Sequence, residues 1–197
     1  QGIIIGGPGA TKDYVVKNDY FHHEIKKLIR EPFFDVGYSN ESGLRELIQR
    51  AGGLMDQIEL DVERKIVDSF LREVMQAHPK ATYGEVMIRS ALEQGAVDRL
   101  LLSENITDRR VSWICKSCGE EWEATQKRRS ELPVCKSCSS DDIKENQQKS
   151  MDLIDELTII AGRTSASVTL VSMDTEEGAT LYEAFGGIAA LLRYPLS

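Results

Sequence analysis

The chain has 197 residues, 41% of them apolar and 28% charged, with a net charge of −8 and a pI near 5.0. This is the composition of one or two globular domains; it excludes wholesale disorder, and no apolar run reaches the roughly 18 residues of a membrane helix. A body this acidic repels nucleic acid as a whole, so any such contact must be local.

Gln1-Gly2-Ile3-Ile4-Ile5 lacks the basic stretch of a signal peptide, and the chain opens without Met on a strand-like run, as expected of a piece of a longer cytoplasmic protein. Gly2 to Ile5 predicts a buried strand, followed by a turn over Gly6-Gly7-Pro8-Gly9. Thr11 suits the N-cap of a helix with Asp13 in its first turn, and Phe21, Ile25, Leu28 and Ile29 give it one apolar face as far as Arg30. Pro32 is expected to stop it. Phe33 to Tyr38 predicts a strand, Ser39 to Gly43 a turn and cap, and Leu44, Leu47 and Ile48 the next helix. A separate long helix is expected after Gly52-Gly53, because Ile58, Val62, Ile66, Phe70 and Val74 recur every four residues, with Val67, Leu71 and Met75 beside them. That stripe reads as core. Pro79 closes the segment.

Gly84 to Gln94 predicts a shorter helix ending on Gly95, and Val97 to Leu102 a central strand. Beyond Asp141 a helix is expected as far as Ala161, with Met151, Ile154, Leu157 and Ala161 on one face and Gly162 as its cap. Ser167 to Met173 predicts a strand, and Thr175-Glu176-Glu177 opens a helix that stops at Gly186-Gly187. Ile188 to Tyr194 is the last strand. From Phe33 onward strands and helices alternate, which implies a layered α/β domain.

All four cysteines lie between the strand ending at Leu102 and the helix after Asp141, as Cys115-x-x-Cys118 and Cys135-x-x-Cys138 with sixteen residues between the pairs. This is zinc-ribbon spacing. Each Cys-x-x-Cys places two thiolates on a tight knuckle, and two knuckles complete a tetrahedron around Zn²⁺. Gly119 suits the turn after Cys118, where a positive φ is cheap for glycine. Two disulfides or four buried thiols are the alternatives, but a chain this long with no other cysteine is not a disulfide scaffold. Four sulfur ligands close the shell, so the metal is expected to be structural. Residues 109–140 are expected to be a small insertion folding around it, with Trp113 and Trp122 as core. This window carries +3 against −11 elsewhere, although including Asp108, Asp141 and Asp142 brings it to zero. Lys127, Arg128 and Arg129 offer a phosphate contact; a solvated loop is the plainer reading.

Other constellations carry no chemistry. Gly6 to Lys12 departs from the phosphate-loop pattern, which has Gly directly before Lys where Thr11 stands. His22 and His23 are adjacent and so point about 100° apart on a helix, without the i, i+4 spacing of a zinc protease. No nucleophile–base set is apparent. The chain reads as a binding module and not as an enzyme.

Five stretches then carry a resemblance: Gly6-Gly7-Pro8-Gly9-Ala10-Thr11-Lys12; Val36-Gly37-Tyr38 with Gly43-Leu44-Arg45-Glu46-Leu47; Glu63-Arg64-Lys65; Ala91 to Asp98; and Phe185 to Tyr194. In this order they resemble the C-terminal part of the archaeal and eukaryotic class-I peptide-chain release factors, archaeal members in particular. The four cysteines stand where archaeal members carry a zinc-binding minidomain. The resemblance implies a layered mixed-sheet, ribosomal-protein-like α/β sandwich. In this scheme residues 1–36 are the tail of the middle domain and 37–197 the C-terminal GTPase-binding domain, with a zinc ribbon at 109–140.

In such factors the first domain reads stop codons, and the middle domain brings Gly-Gly-Gln to the peptidyl-transferase centre to promote peptidyl-tRNA hydrolysis. Here the Gly-Gly pairs at 6, 52 and 186 are followed by Pro, Leu and Ile, and no Asn-Ile-Lys-Ser occurs. The implied partners are a translational GTPase of the elongation-factor class, the ribosome and a recycling ATPase. The implied contact is the corner of Phe185, Gly186, Gly187 and Ile188 with Arg193 and Tyr194, the last two as its exposed residues; an ordinary helix stop is the alternative for that corner. A Pelota-like ribosome rescue factor and a zinc-ribbon nucleic-acid-binding module are the rival readings.

Overall fold

Two strands of the first sixty residues, β1 (Ile3–Gly7) and β2 (Ile29–Asp35), pair in parallel, with α1 (Thr11–Lys17) and the short α2 (His23–Lys26) between them. The structure is a computed structural model that describes every residue except Gln1, Asp19, Arg129 and Ser197. The helix expected as far as Arg30 ends at Lys17, and Ile29 and Arg30 belong to β2. Pro32 stops no helix; it lies inside β2. The register breaks between the pairs Ile4↔Arg30 and Gly6↔Phe34, so the proline falls where the ladder needs no donor. Next comes α3 (Glu41–Val74), which runs unbroken through Gly52-Gly53, where a boundary was expected. A glycine costs a helix only about 1 kcal/mol relative to alanine, too little to interrupt one this long. Contacts divide the chain within α3, into Gln1–Val62 and Glu63–Ser197, whereas the expected limit at 36/37 coincides with the end of β2.

The second unit continues with β3 (Ala81–Tyr83), α4 (Glu85–Glu93), β4 (Val97–Ser103), β5 (Arg109–Cys115), β6 (Glu121–Gln126), β7 (Ile143–Glu145), β8 (Met151–Asp152), α5 (Leu153–Arg163), β9 (Ser167–Val171), α6 (Glu176–Phe185) and β10 (Ile188–Leu192). One sheet has the order β3-β10-β4-β9. It is mixed: β10 is antiparallel to β3 and β4, and β4 is parallel to β9. Successive side chains of a strand face opposite ways. Leu101 therefore joins Val67, Phe70, Val171, Leu181 and Ala189 on one face, while Leu100 and Leu102 join Ile88, Leu92, Leu153, Leu157 and Ala190 on the other. The C-terminal part of α3 and α6 supply the first face, and α4 and α5 the second. Cover on both sides is why β4 is a continuous leucine run; full burial stabilises by about 1.5–3 kcal/mol per leucine.

The Thr175 hydroxyl caps α6 by accepting from the Gly178 N–H at 3.0 Å, a bond the sequence did not announce; the helix opens at Thr175-Glu176-Glu177 and ends on left-handed Gly186 (φ 71°), both as expected. Gly187 (φ 77°) follows, its N–H donating to the Leu181 carbonyl at 3.0 Å and its carbonyl accepting from Ser103 at 2.8 Å. No helix among the described residues is long and apolar enough to cross a membrane.

Candidate metal centre

Because β5 ends at Cys115 and β6 begins at Glu121, the first Cys-x-x-Cys forms the hairpin turn between them. The Cys115 N–H donates to the Glu120 carbonyl at 2.9 Å and the Gly119 N–H to the Cys115 carbonyl at 2.8 Å, with φ 78° at Gly119. The second knuckle repeats this pattern. Cys135 N–H donates to the Ser140 carbonyl and Ser139 N–H to the Cys135 carbonyl, both at 2.9 Å, with φ 59° at Ser139. A serine thus adopts in the second turn the conformation that glycine adopts in the first, and sequence reasoning found only the glycine. The hydroxyls of Ser117 and Ser140, 2.9 Å apart, join the two turns.

The four Sγ atoms all lie within 4.8 Å of one another. Cys115 Sγ is 3.6 Å from Cys138 Sγ, and Cys118 Sγ is 3.5 Å from Cys135 Sγ. Sulfurs placed tetrahedrally about 2.3 Å from a zinc ion are separated by about 3.8 Å, whereas a disulfide holds them at about 2.05 Å. The spacing suits a metal ion, and all four are free thiols. Burial pushes the Cys115 thiol up, but the backbone N–H groups of Cys118 and Ser117 and the neighbouring thiols together bring it down to about 7. At Cys118 the Glu120 N–H favours the thiolate, yet the thiols of Cys138 and Cys135 outweigh it and raise the group to about 12. A metal entering here must displace protons.

The ribbon does not end at residue 140. Antiparallel to β5 run β6 on one side and β7 on the other, and β8 pairs with β5 as well. This replaces the helix expected from Asp141: Ile143 to Glu145 complete the sheet, and α5 starts only at Leu153, whose N–H donates to the Asp108 carbonyl at 3.0 Å. Gly162, expected as a cap, lies inside α5. Trp113 is buried as expected, and Trp122 faces it in the β5/β6 register.

An ion network that the sequence did not reveal binds this sheet to the helices. Arg89 on α4 grips Glu156 on α5 with two bonds, at 3.1 and 2.5 Å, and donates to Glu85 at 2.8 Å. From β5, Arg110 reaches Glu156 and Glu123 at 3.6 Å and Glu85 at 3.9 Å, and the Thr125 hydroxyl of β6 donates to Glu85. The Glu156 side chain is only 15% exposed. Removing one partner of a shielded pair leaves its cations uncompensated. Glu156→Ala is therefore expected to lower stability by about 2–3 kcal/mol, and Glu156→Gln by less, as read by urea denaturation.

At the C-terminal corner, Phe185 packs edge-on against Phe70 and Tyr83, with ring centroids 5.2 and 5.0 Å away. Gly187 and Ile188 are buried, while Gly186, Arg193 and Tyr194 are exposed. The Arg193 guanidinium donates to the carbonyls of Gly95 at 2.9 Å and of Thr164 and Ser165 at 3.1 Å. The Tyr194 hydroxyl donates to the Gln94 carbonyl at 3.1 Å. Lys127 and Arg128 are exposed on the loop between β6 and the second knuckle; Arg129 lies outside the described residues. A cleft of about 340 Å³ brings Lys127 together with Gly186 and Ile188, with Tyr182, Glu183 and residues 106–108 also in its wall. In the Gly6 to Lys12 turn, Lys12 Nζ donates to the Gly9 carbonyl at 2.8 Å and to Asp35 at 2.6 Å.

Against known families, residues 60–196 match the model for eRF1 domain 3, and residues 1–59 that for eRF1 domain 2. The chain belongs to the eRF1 family of peptide chain release factors. The junction of the two eRF1 matches falls inside α3, as does the division of contacts. Peptide chain release factor subunit 1 of Thermococcus sibiricus is 43% identical, over 100% of this eRF1-family chain and 48% of that protein. The chain spans about half the length of the curated relatives it matches. The solved C-terminal domain of the peptide chain release factor from Methanosarcina mazei is 38% identical with a TM-score of 0.66, covering 80% of this chain and 98% of that one. An archaeal Pelota, in a ribosome-bound model with ABCE1, has a TM-score of 0.57 at 22% identity, over 98% of this chain and 43% of that one. At that identity the likeness concerns the fold alone.

Proposed function

We propose that this chain is the GTPase-docking part of a cytoplasmic translation-termination factor. The observation that carries the reading is the end-to-end succession of eRF1 domain 2 and domain 3 matches, at 43% identity to an archaeal release factor over the whole chain. Its second unit docks a translational GTPase of the elongation-factor class, with the ribosome and a recycling ATPase as further partners. Stop-codon reading and peptide release are not assigned to these residues, whose sequence holds neither Gly-Gly-Gln nor Asn-Ile-Lys-Ser. The four cysteines hold a zinc ion in a structural role, since a closed sulfur shell leaves no position for a reacting water.

The docking surface is the corner of Phe185 to Ile188 with Arg193 and Tyr194. Within it Tyr194, 47% exposed, offers a large aromatic surface. Calorimetry with a GTP-loaded archaeal elongation-factor GTPase tests this reading. Micromolar binding is expected, weakened about tenfold in Tyr194→Ala, or roughly 1.4 kcal/mol. Arg193→Ala is the poorer probe, because it also frees three carbonyls. Binding unaltered by Tyr194→Ala keeps the function and moves the surface. No binding, with salt-sensitive retention of ribosomal RNA, supports the nucleic-acid-binding reading instead.

A further inference from the structure

We propose that the four-cysteine centre is also a peroxide-reactive site, oxidised crosswise to Cys115–Cys138 and Cys118–Cys135 disulfides. This rests on the metal-centre reading above. Two thiol–thiol contacts run between the knuckles, at 3.6 and 3.5 Å, within a centre whose four sulfurs all lie within 4.8 Å of one another. Each joins an exposed cysteine to a buried one: Cys138 to Cys115, and Cys118 to Cys135. The backbone beneath is already tied crosswise. Cys115 pairs with Ile143 across β5 and β7, Lys116 N–H donates to the Asp142 carbonyl at 3.0 Å, and the Ser117 and Ser140 hydroxyls meet. A crosswise bridge needs the sulfurs to approach by only about 1.5 Å.

The chemistry balances within each pair. The sulfur of the exposed cysteine, a thiolate when metal-bound, attacks hydrogen peroxide; an S–O bond forms, the O–O bond breaks, and the departing hydroxide takes a proton to leave as water. The product is a sulfenic acid. The sulfur of the buried partner then attacks it, so that an S–S bond forms, the S–O bond breaks and a second water leaves. Each pair gives up two electrons to one peroxide. Bridged sulfurs are no longer thiolate ligands, so a bound metal ion is released.

Lys116 and Lys136 each lie between the two cysteines of a knuckle, so trypsin places every cysteine in its own peptide: 111–116, 117–127, 130–136 and 137–144. The zinc-loaded full chain is titrated with hydrogen peroxide under native conditions, alkylated, digested without reductant and mapped by mass spectrometry. Expected products are 111–116 linked to 137–144 and 117–127 linked to 130–136, with zinc released in step to a chromophoric chelator and both changes reversed by dithiothreitol. Links of 111–116 to 117–127 or of 130–136 to 137–144 as main products overturn the proposal, as does sulfinic acid without any link. A chain that takes up no zinc overturns the metal reading alone; crosswise links formed in that chain still support the pairing.

Discussion

Chelating the metal is expected to open both knuckles while the β3-β10-β4-β9 sheet stays folded, and Cys115→Ser is expected to do the same. The ribbon buries little of its own besides Val111, Trp113, Cys115 and Cys135. On the proposed reading metal binding would supply much of its order; such binding is worth on the order of 10–16 kcal/mol in zinc-finger peptides. By contrast β5 is also held from outside, by β8 and by the Arg89, Glu156, Glu85 and Arg110 network. Opening should thus be local. The amides of Cys115, Gly119, Cys135 and Ser139, which close the two turns, are expected to exchange on the order of a thousandfold faster after chelation, an opening made easier by about 4 kcal/mol. Amides of β4 and β10 should not change. Exchange rising throughout would make the ribbon part of the global cooperative unit, and exchange unchanged anywhere would deny the centre its metal. The sign of the pH effect follows from proton counting. The metal-free centre holds thiol protons that the loaded one has lost, so binding tightens as pH rises. It weakens as pH falls through about 7, where metal-free Cys115 takes up its proton.

Gly178→Ala is expected to lower stability by about 3 kcal/mol or more, although it adds a single methyl group. A Cβ at Gly178 would lie 1.9 Å from the Ser172 carbonyl oxygen and 3.0 Å from the Thr175 hydroxyl that caps α6. The first obstacle is backbone, which no rotamer change removes. To relieve it α6 must shift, pulling Leu181 from its packing with Val67 and Phe70 and disturbing the Gly186-Gly187 corner. Gly162→Ala is the control. It lies inside α5 with nothing within 4 Å of its Cβ position, so the same change there should stabilise by about 0.5–1 kcal/mol. Parallel urea denaturations of the two variants read both effects; a Gly178→Ala chain as stable as wild type would show that the Ser172 turn yields freely.

What the sequence disclosed follows from how local each signal is. The cysteine spacing, the opening of α6 at Thr175-Glu176-Glu177, the Gly186-Gly187 stop and the leucines of β4 are set by residues a few positions apart, and the structure bears them out. Gly52-Gly53 and Pro32 misled for the opposite reason. Each is a local breaker overruled by its setting, the glycines by the length of α3 and the proline by an irregularity in the β1–β2 ladder. The strands β7 and β8, of three and two residues, are too short for any periodicity to announce. Of the ion network only the Glu85–Arg89 pair, i to i+4 on α4, could be read in advance. Glu156 enters from 67 positions away, at a separation that no sequence pattern reports.

The symmetry of the two knuckles has a consequence for how this protein can change over generations. Sixteen residues separate Cys118 from Cys135, and among the described ones Lys127 to Val134 belong to no helix or strand. With both ends pinned at one centre, this span is a closed loop, and doubling its length adds only about 0.6 kcal/mol of closure entropy. Descendant sequences can therefore lengthen, shorten or recharge the loop while the anchoring turns stay constant. The same mounting could present a different tip in each lineage, next to the cleft that Lys127 shares with the C-terminal corner.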